Sequence, residues 1–191
     1  IRVIMEMKIW AYETSKDSDK QRRLGKCLST SIMLYTGMRS VDVSEIRFKD
    51  ISLIDDIIKL SPAIRKGKAA STHVIHGYME RPKSEKLREI DPINIINEIM
   101  RLGEIDKEWY ITNMSNRVED CTGRNSVIAL MAKRLHIPIF TGHCLRAGMS
   151  MVLTALAVPD EEIRNYAGWK TKEMLENYRH GIEEAYLRKK M

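Results

Sequence analysis

The chain has 191 residues, enough for one domain with a hydrophobic core, and its 43% hydrophobic and 30% charged residues are typical of a globular protein. Its 32 basic and 26 acidic residues give a net charge of +6, a mild excess that is compatible with a polyanionic partner but does not require one. Three widely spaced cysteines argue against a disulfide framework and favour a reducing compartment, and no apolar run approaches the roughly 20 residues of a membrane span.

Two helices are predicted in the first 37 residues. Residues 1–12 carry apolar side chains at helical spacing, and residues 14–20 are polar and predict a loop. From Arg22 the apolar positions again fall on one helix face. This second helix should end at Gly37, because glycine commonly stops a helix.

Arg39 follows directly, at the predicted junction with a short helix. That helix should begin near Ser40, which could cap it. Asp42 lies three positions after Arg39 and could orient its guanidinium. The alternative interpretation is a solvent-exposed Arg–Asp pair, which contributes almost nothing to stability.

The middle of the chain shows β-type patterns followed by helices. His73 and His76 would point to opposite faces of a strand, which argues against a metal site there. Residues 113–124 are polar and predict a loop, and the next helix should begin at Asn125 or Ser126 and end by Pro138. The predicted strands are 51–54, 57–60, 72–75 and 86–90, and the predicted helix after Pro92 is 93–102.

A helix over 143–157 begins with the run Gly142-His143-Cys144-Leu145-Arg146. His143 and Arg146 are three positions apart, so both project from one face of that helix. Its predicted buried face consists of Met149, Val152, Leu153 and Leu156.

A second helix start follows at Pro159, where a proline precedes three acidic residues. Ile163, Tyr166 and Ala167 are its predicted buried residues, and Gly168 should end it. A further helix is predicted from Thr171 to Tyr178, and a last one over 182–190.

The segment from His143 to Tyr178 therefore carries H-x-x-R, then Gly168-Trp169, and then a tyrosine nine positions after the tryptophan. This set suits chemistry at a phosphodiester, with cationic and hydrogen-bonding groups around a phosphate and a phenol able to attack it. Each part alone has an ordinary structural explanation: a buried histidine that caps a helix, a tryptophan in the core and a half-buried surface tyrosine.

In order and spacing these parts resemble the tyrosine recombinases, the lambda-integrase family. The family's first arginine stands in T-G-x-R-x-x-[ED], matched here by Thr36-Gly37-Met38-Arg39-Ser40-Val41-Asp42. The resemblance covers nearly the whole chain. It implies an α+β, mostly α-helical catalytic domain over residues 1–191 with a small antiparallel β-sheet. A separate N-terminal core-binding domain, absent from this chain, would complete a clamp around DNA.

The resemblance also implies the site residues and their partners. Lys83 matches the family's sheet lysine in K-x-x-K-x-R, although the proline after it comes one place late and Lys66, Lys68 and Lys86 compete for the role. The implied catalytic residues are Arg39, Lys83, His143, Arg146, Trp169 and Tyr178, with Asp42 supporting Arg39.

The implied activity is site-specific cutting and rejoining of double-stranded DNA through a 3′-phosphotyrosine, without metal or nucleotide cofactor. A homo-tetramer on two DNA sites, with exchange of the C-terminal helix, would carry it out inside the cell. The alternatives are a type IB topoisomerase, or a decayed domain that only binds DNA.

Overall fold

The computed structural model describes residues 1–54, 57–61, 73–76, 89–119, 121–167, 169 and 171–177. The named helices are α1 (Arg2–Ala11), α2 (Asp17–Thr36), α3 (Ser40–Ser44), α4 (Pro92–Arg101), α5 (Cys121–Arg134), α6 (Gly142–Ala155) and α7 (Asp160–Ala167). A 3-10 helix (Phe48–Asp50) leads into strands β1 (Ile51–Ile54), β2 (Ile57–Leu60) and β3 (His73–His76), and residues 172–177 are helical. The predicted fold class, mostly helical with a small antiparallel sheet, is confirmed.

Helix α2 is the long central element, and it packs against α1, α4 and α6. It begins at Asp17, inside the predicted loop over 14–20, so that prediction was wrong from residue 17 onward. The physical reason is that Asp17 and Asp19 lie in the first helical turn, where negative charge is favourable. The predicted end is confirmed, because Gly37 closes the helix in the left-handed conformation with φ 63°.

The main hydrophobic cluster, called the large core here, surrounds α2. Fully buried aliphatic side chains from α1, α2 and α4 form most of it, and Ile58 and Leu60 of β2 extend it beneath the sheet. The helical spacing of Ile4 and Met7 in α1 is confirmed, because both are completely buried. Burying a leucine or isoleucine side chain contributes about 1.5–3 kcal/mol, so this cluster is the main source of stability.

The sheet has the order β1-β2-β3 and is antiparallel throughout. Ile51 pairs with Leu60, and Ile57 pairs with His76, so β3 lies one residue later than predicted. The turn predicted at residues 55–56 and most of the predicted strand over 86–90 lie outside the described residues. That last strand was wrong where it is described, since residue 89 is helical and residue 90 lies in a turn. The chain turns there because Asp91 caps α4, accepting a hydrogen bond from the Ile93 N–H at 2.9 Å.

Helix α5 begins at Cys121, four residues before the predicted start. The prediction of a loop through residue 124 was therefore wrong at its end. Arg124 explains the difference, because its side chain is completely buried and holds the first turn of α5 in the interior. An apolar periodicity search cannot detect a helix turn whose buried residue is an arginine.

A second hydrophobic cluster lies between α6, α7 and residues 172–177, and it is called the small cluster here. Its buried members are Met149, Ile163, Ala167, Trp169 and Leu175. The predicted inward face of α6 was wrong at two positions, since Val152 is 58% and Leu156 is 68% exposed. Tyr166 of α7, also predicted to be buried, is 39% exposed.

The buried face of α6 consists of Leu145, Arg146, Met149 and Ser150, which follow the i, i+1, i+4, i+5 pattern of one helical stripe. Two of these four side chains are polar, so the sequence pattern hid the stripe. Leu145 belongs to the large core and Met149 to the small cluster, so α6 lies between the two. Among the described residues, no helix is both long and apolar enough to cross a membrane.

Candidate active site

Arg146 joins three distant stretches of the chain. Its side chain is only 4% exposed, its Nη1 donates a hydrogen bond to the Gly37 carbonyl oxygen, and its Nη2 donates one to the Ala167 carbonyl oxygen at 2.8 Å. Its Cζ lies 5.0 Å from the centroid of the Trp169 ring, within the range of a cation–π contact. The arginine of H-x-x-R, the turn before Arg39 and the tryptophan of the predicted Gly-Trp pair are therefore in one place.

Gly37 is required at this junction for two reasons. Its φ of 63° is a conformation that residues with a side chain rarely adopt. A Cβ added here would also overlap the Cε of Met149, which packs directly against the turn. The close approach of α6 to the end of α2 lets Arg146 reach the Gly37 carbonyl.

Arg39 lies two residues after Gly37 and is exposed. It is the N-cap residue of α3, with extended backbone angles of φ −66° and ψ 145°, and its carbonyl accepts a hydrogen bond from the Val43 N–H at 3.0 Å. The expectation that Ser40 caps this helix was wrong, because Ser40 is already its first residue. Arg39 thus carries its charge into solvent from a backbone that is fixed beside Arg146.

Asp42 is half-buried in the first turn of α3. Arg39 and Asp42 form no ion pair with each other in the described part of the chain. The orienting role of Asp42 stays a prediction.

His143 is exposed in the first turn of α6, three positions before Arg146. Thr141 is the N-cap residue, and the Gly142 N–H donates to Asn125 Oδ1 at 3.0 Å. A Cβ on Gly142 would lie 2.6 Å from Met33 Cε, so this helix end also sits tightly against α2. His143 and Arg39 are therefore two exposed groups mounted on tightly packed backbone, with the buried Arg146 on the helix that carries His143.

Trp169 is 3% exposed and belongs to the small cluster, so the ordinary interpretation of a core tryptophan holds for its packing. Its ring also lies against the Arg146 guanidinium. The two interpretations are compatible, because one face of an indole can pack in a core while the ring supports a cation.

Lys83 and Tyr178 lie outside the described residues, as do the competing lysines at 66, 68 and 86. The described chain before Tyr178 does reach the site. Leu175 is completely buried in the small cluster that contains Trp169. Residues 172–177 are thus packed next to the group formed by Arg146 and Trp169.

Sequence reasoning missed Arg124 of α5, and it considered Asn125 only as a possible helix start. Arg124 Nη2 donates hydrogen bonds to the Ser40 carbonyl at 2.6 Å and to the Ser40 hydroxyl, while burial lowers the pKa of its guanidinium to about 10. At neutral pH the group still carries a positive charge. The only signal in the sequence was a basic residue inside a polar stretch, which usually indicates a solvated loop. Among the described residues, no three His, Cys, Asp or Glu side chains form a group that could hold a metal ion.

Comparison with known proteins places this geometry in a family. The model of the phage integrase family matches residues 9–184, which is most of the chain. The chain therefore belongs to the phage integrase family, and the predicted resemblance is confirmed. No curated protein sequence matches it significantly.

Solved structures share the fold. The XerH site-specific recombinase bound to its difH substrate, in a pre-cleavage complex, matches with a TM-score of 0.68 and 14% identity over 97% of this chain and 49% of that one. The XerA recombinase matches with a TM-score of 0.63 and 17% identity over 99% of this chain and 62% of that one. A lambda integrase(75-356) dimer bound to a COC′ core site matches with a TM-score of 0.56 and 14% identity, over 93% of this chain and 56% of that one. The chain thus spans about half to three-fifths of the length of these proteins.

Proposed function

We propose that this domain cuts and rejoins double-stranded DNA as a site-specific tyrosine recombinase, with Tyr178 as the nucleophile. Membership of the phage integrase family supports the class of reaction. The observation that carries the proposal to these residues is the position of Arg146, which is bonded to Gly37 and Ala167 and stacked on Trp169. Through these three contacts, separate parts of the sequence motif lie around one cation, the Arg146 guanidinium.

The two arginines are proposed to meet the negative charge on the phosphate. In the transition state the non-bridging oxygens carry that charge, and a planar guanidinium can bind two of them at once. Arg39 is exposed and suits direct contact with a DNA strand. Arg146 is buried, so its charge acts from the base of the site in a low-dielectric setting, where electrostatic stabilisation is strongest.

Three further groups complete the proposed site. His143 donates a hydrogen bond to the phosphate or accepts the proton of Tyr178. Trp169 supports Arg146 and offers an indole N–H, but it cannot transfer protons. Lys83 is the proposed general acid, because a cationic setting lowers the pKa of a lysine and prepares it to give up a proton.

The proposed step is a balanced exchange at phosphorus. The Tyr178 phenol loses its proton and its oxygen bonds to the phosphorus, while the bond to the 5′ oxygen breaks and that oxygen takes a proton from Lys83. An unperturbed phenol has a pKa of about 10, so only about one in a thousand is ionised at neutral pH and a nearby base is needed. The 3′-phosphotyrosine keeps the energy of the broken bond, so a second strand can be rejoined without ATP.

Assembly follows from the same proposal. XerH and lambda integrase are DNA-bound in the solved structures, and DNA is the proposed partner here. A homo-tetramer on two DNA sites, exchange of the C-terminal helix and a separate core-binding domain remain predictions.

The test is covalent trapping on a suicide substrate. The probe is a pool of labelled, nicked DNA duplexes with randomised sequence around the nick, from which the short downstream fragment with the new 5′-hydroxyl end escapes after cleavage. We expect a protein–DNA adduct that resists denaturant, and mass spectrometry of its peptides should locate the link at Tyr178. Tyr178→Phe should form none.

Tyr166→Phe is the matched control. Tyr166 also lies near the site, but its hydroxyl donates to the Tyr35 carbonyl at 2.6 Å. This variant should keep forming the adduct. An adduct that persists in Tyr178→Phe, or none in the unmodified chain, contradicts the proposal. Efficient relaxation of a supercoiled plasmid without a specific site would assign the chain to type IB topoisomerases instead.

A further inference from the structure

Two buried guanidinium groups donate hydrogen bonds to the backbone on either side of Arg39. Arg146 of α6 holds the Gly37 carbonyl, and Arg124 of α5 holds the carbonyl and hydroxyl of Ser40. Consecutive Cα atoms are about 3.8 Å apart, so these two anchoring points are at most about 11 Å from each other. Arg39 therefore projects from a short segment that is fixed at both ends.

The next residue of α5, Asn125, contacts the backbone directly before His143, the other exposed group of the site. Asn125 Oδ1 accepts a hydrogen bond from the Gly142 N–H at 3.0 Å, in the turn that precedes His143. Gly142 lies in the first turn of α6, where backbone N–H groups lack partners within the helix. One short stretch of α5 thus contacts both backbone segments that carry exposed charged or polar groups of the site.

Stability alone is a poor explanation for Arg124. Its side chain is completely buried, yet its Nε and Nη1 have no hydrogen-bond partner among the described residues. A buried guanidinium with unsatisfied donors costs free energy, and an apolar side chain of similar size is often at least as stable in such a place. Unlike an apolar residue, Arg124 can donate directional hydrogen bonds that fix the position of Ser40.

We propose that Arg124 and Asn125 are positioning residues, which set the backbone of Arg39 and of His143 respectively for contact with one DNA phosphate. This inference rests on the proposed function for its catalytic consequence, but its structural part stands separately. Neither residue is expected to touch DNA. Arg124 acts through α3 and Asn125 acts through the first turn of α6.

The first test is a double-mutant cycle on the rate of adduct formation with the nicked duplex pool. Arg124→Met should slow cleavage about a hundredfold, the loss expected when a reacting group is displaced by about an ångström, while leaving DNA affinity unchanged. In an Arg39→Ala background the same change should slow cleavage little further, because both substitutions remove the same contribution, that of a correctly placed Arg39. Arg124→Lys, which keeps a charged donor, should recover part of the rate.

Arg23→Met is the matched control. Arg23 Nη1 also donates to a backbone carbonyl, that of Trp10 at 2.7 Å, but it lies on α2 about 21 Å along the helix from Gly37. This variant should cleave at the unmodified rate. A loss of rate in Arg23→Met equal to that in Arg124→Met would mean that destabilisation explains both, and it would overturn the proposal.

The second test does not depend on cleavage. Hydrogen exchange of the α3 amides, including Val43 N–H, should be about tenfold faster in Arg124→Met, while exchange in α1 is unchanged. Asn125→Ala should instead speed exchange at the first turn of α6. Unchanged exchange in α3 overturns the positioning role even if cleavage slows. If the unmodified chain forms no adduct, the proposed function fails, and hydrogen exchange alone still decides whether Arg124 holds α3.

Discussion

The large core around α2 and the small cluster around Trp169 differ in what they bury. The large core packs aliphatic side chains from several helices and from β2, with most of them completely inaccessible. The small cluster has few apolar members and lies against a buried cation, Arg146. This cation donates hydrogen bonds to the backbone carbonyls of Gly37 and Ala167. One region supplies stability, and the other keeps charge in a defined place.

The same pair of residue types illustrates the difference. Arg23 lies 4.5 Å from the ring centroid of Trp10, and Arg146 lies 5.0 Å from that of Trp169. The first pair joins α1 to α2 at the edge of the large core. The second pair is enclosed between α6 and the segment after α7. Similar contacts therefore serve packing in one region and the proposed chemistry in the other.

The largest effect should come from Arg146→Met. Cleavage should fall by about a thousandfold or more, because a preorganised donor and a positive charge are lost together. The carbonyls of Gly37 and Ala167 lose their partner, which should cost about 1–3 kcal/mol of stability. The measurements are single-turnover adduct formation and urea denaturation. If Arg146→Met unfolds readily but cleaves normally per folded molecule, Arg146 serves stability and not cleavage, which would contradict the distinction between the two regions.

Leu28→Ala addresses the large core. Leu28 is completely buried, so the truncation should lower the free energy of unfolding by about 2–5 kcal/mol through lost burial and a cavity. Cleavage per folded molecule should be unchanged at a temperature where the variant remains folded. A selective loss of cleavage would show that the large core also controls the site.

Trp169→Phe should have a smaller effect. Phenylalanine keeps an aromatic face for Arg146 and most of the apolar area but removes the indole N–H, so we expect about a tenfold loss of cleavage. Trp10→Phe is the matched control, because it changes an arginine-stacked tryptophan in the other region. Equal losses in the two variants would contradict a special role for Trp169.

The smallest perturbation uses the cysteines as reporters. Burial raises the pKa of the Cys27 thiol to about 12, and its side chain is fully enclosed in the large core, so iodoacetamide should modify it only on unfolding. Cys144 is exposed beside His143 and should react in the folded protein. Bound DNA should slow the reaction of Cys144 without affecting Cys27. Mass spectrometry of the alkylated peptides measures both, and no protection of Cys144 by DNA would argue against DNA lying at His143.

The two regions also differ in how far the sequence predicted them. The helices and strands of the large core follow apolar periodicity. Local signals also mark helix ends, since α2 ends at Gly37 and α4 begins after Asp91. Their types and most of their limits were therefore predictable. Near the small cluster the family resemblance suggested the motif residues. The predicted inward face of α6 was right at Met149 but also included Val152 and Leu156, which are exposed. Polar residues occupy part of that face, and hydrophobic patterns carry no information about a buried arginine.

Arg124 shows the same limit more sharply. Its buried position depends on a partner, Ser40, that lies 84 residues away in sequence. No local pattern encodes such a contact. A single sequence can therefore suggest which residues react, whereas the residues that hold them in place appear only in the folded structure.

The most direct measurement is a structure of the Tyr178→Phe variant, which cannot cleave, bound to a nicked DNA duplex. We expect Arg39 and His143 to lie within hydrogen-bonding distance of one phosphate, with Arg146 behind them. The residue at 178, from this chain or from a neighbouring copy, should face the same phosphorus. A phosphate backbone that passes far from Arg39 and His143, or a position 178 directed away from every bound phosphate, would contradict it.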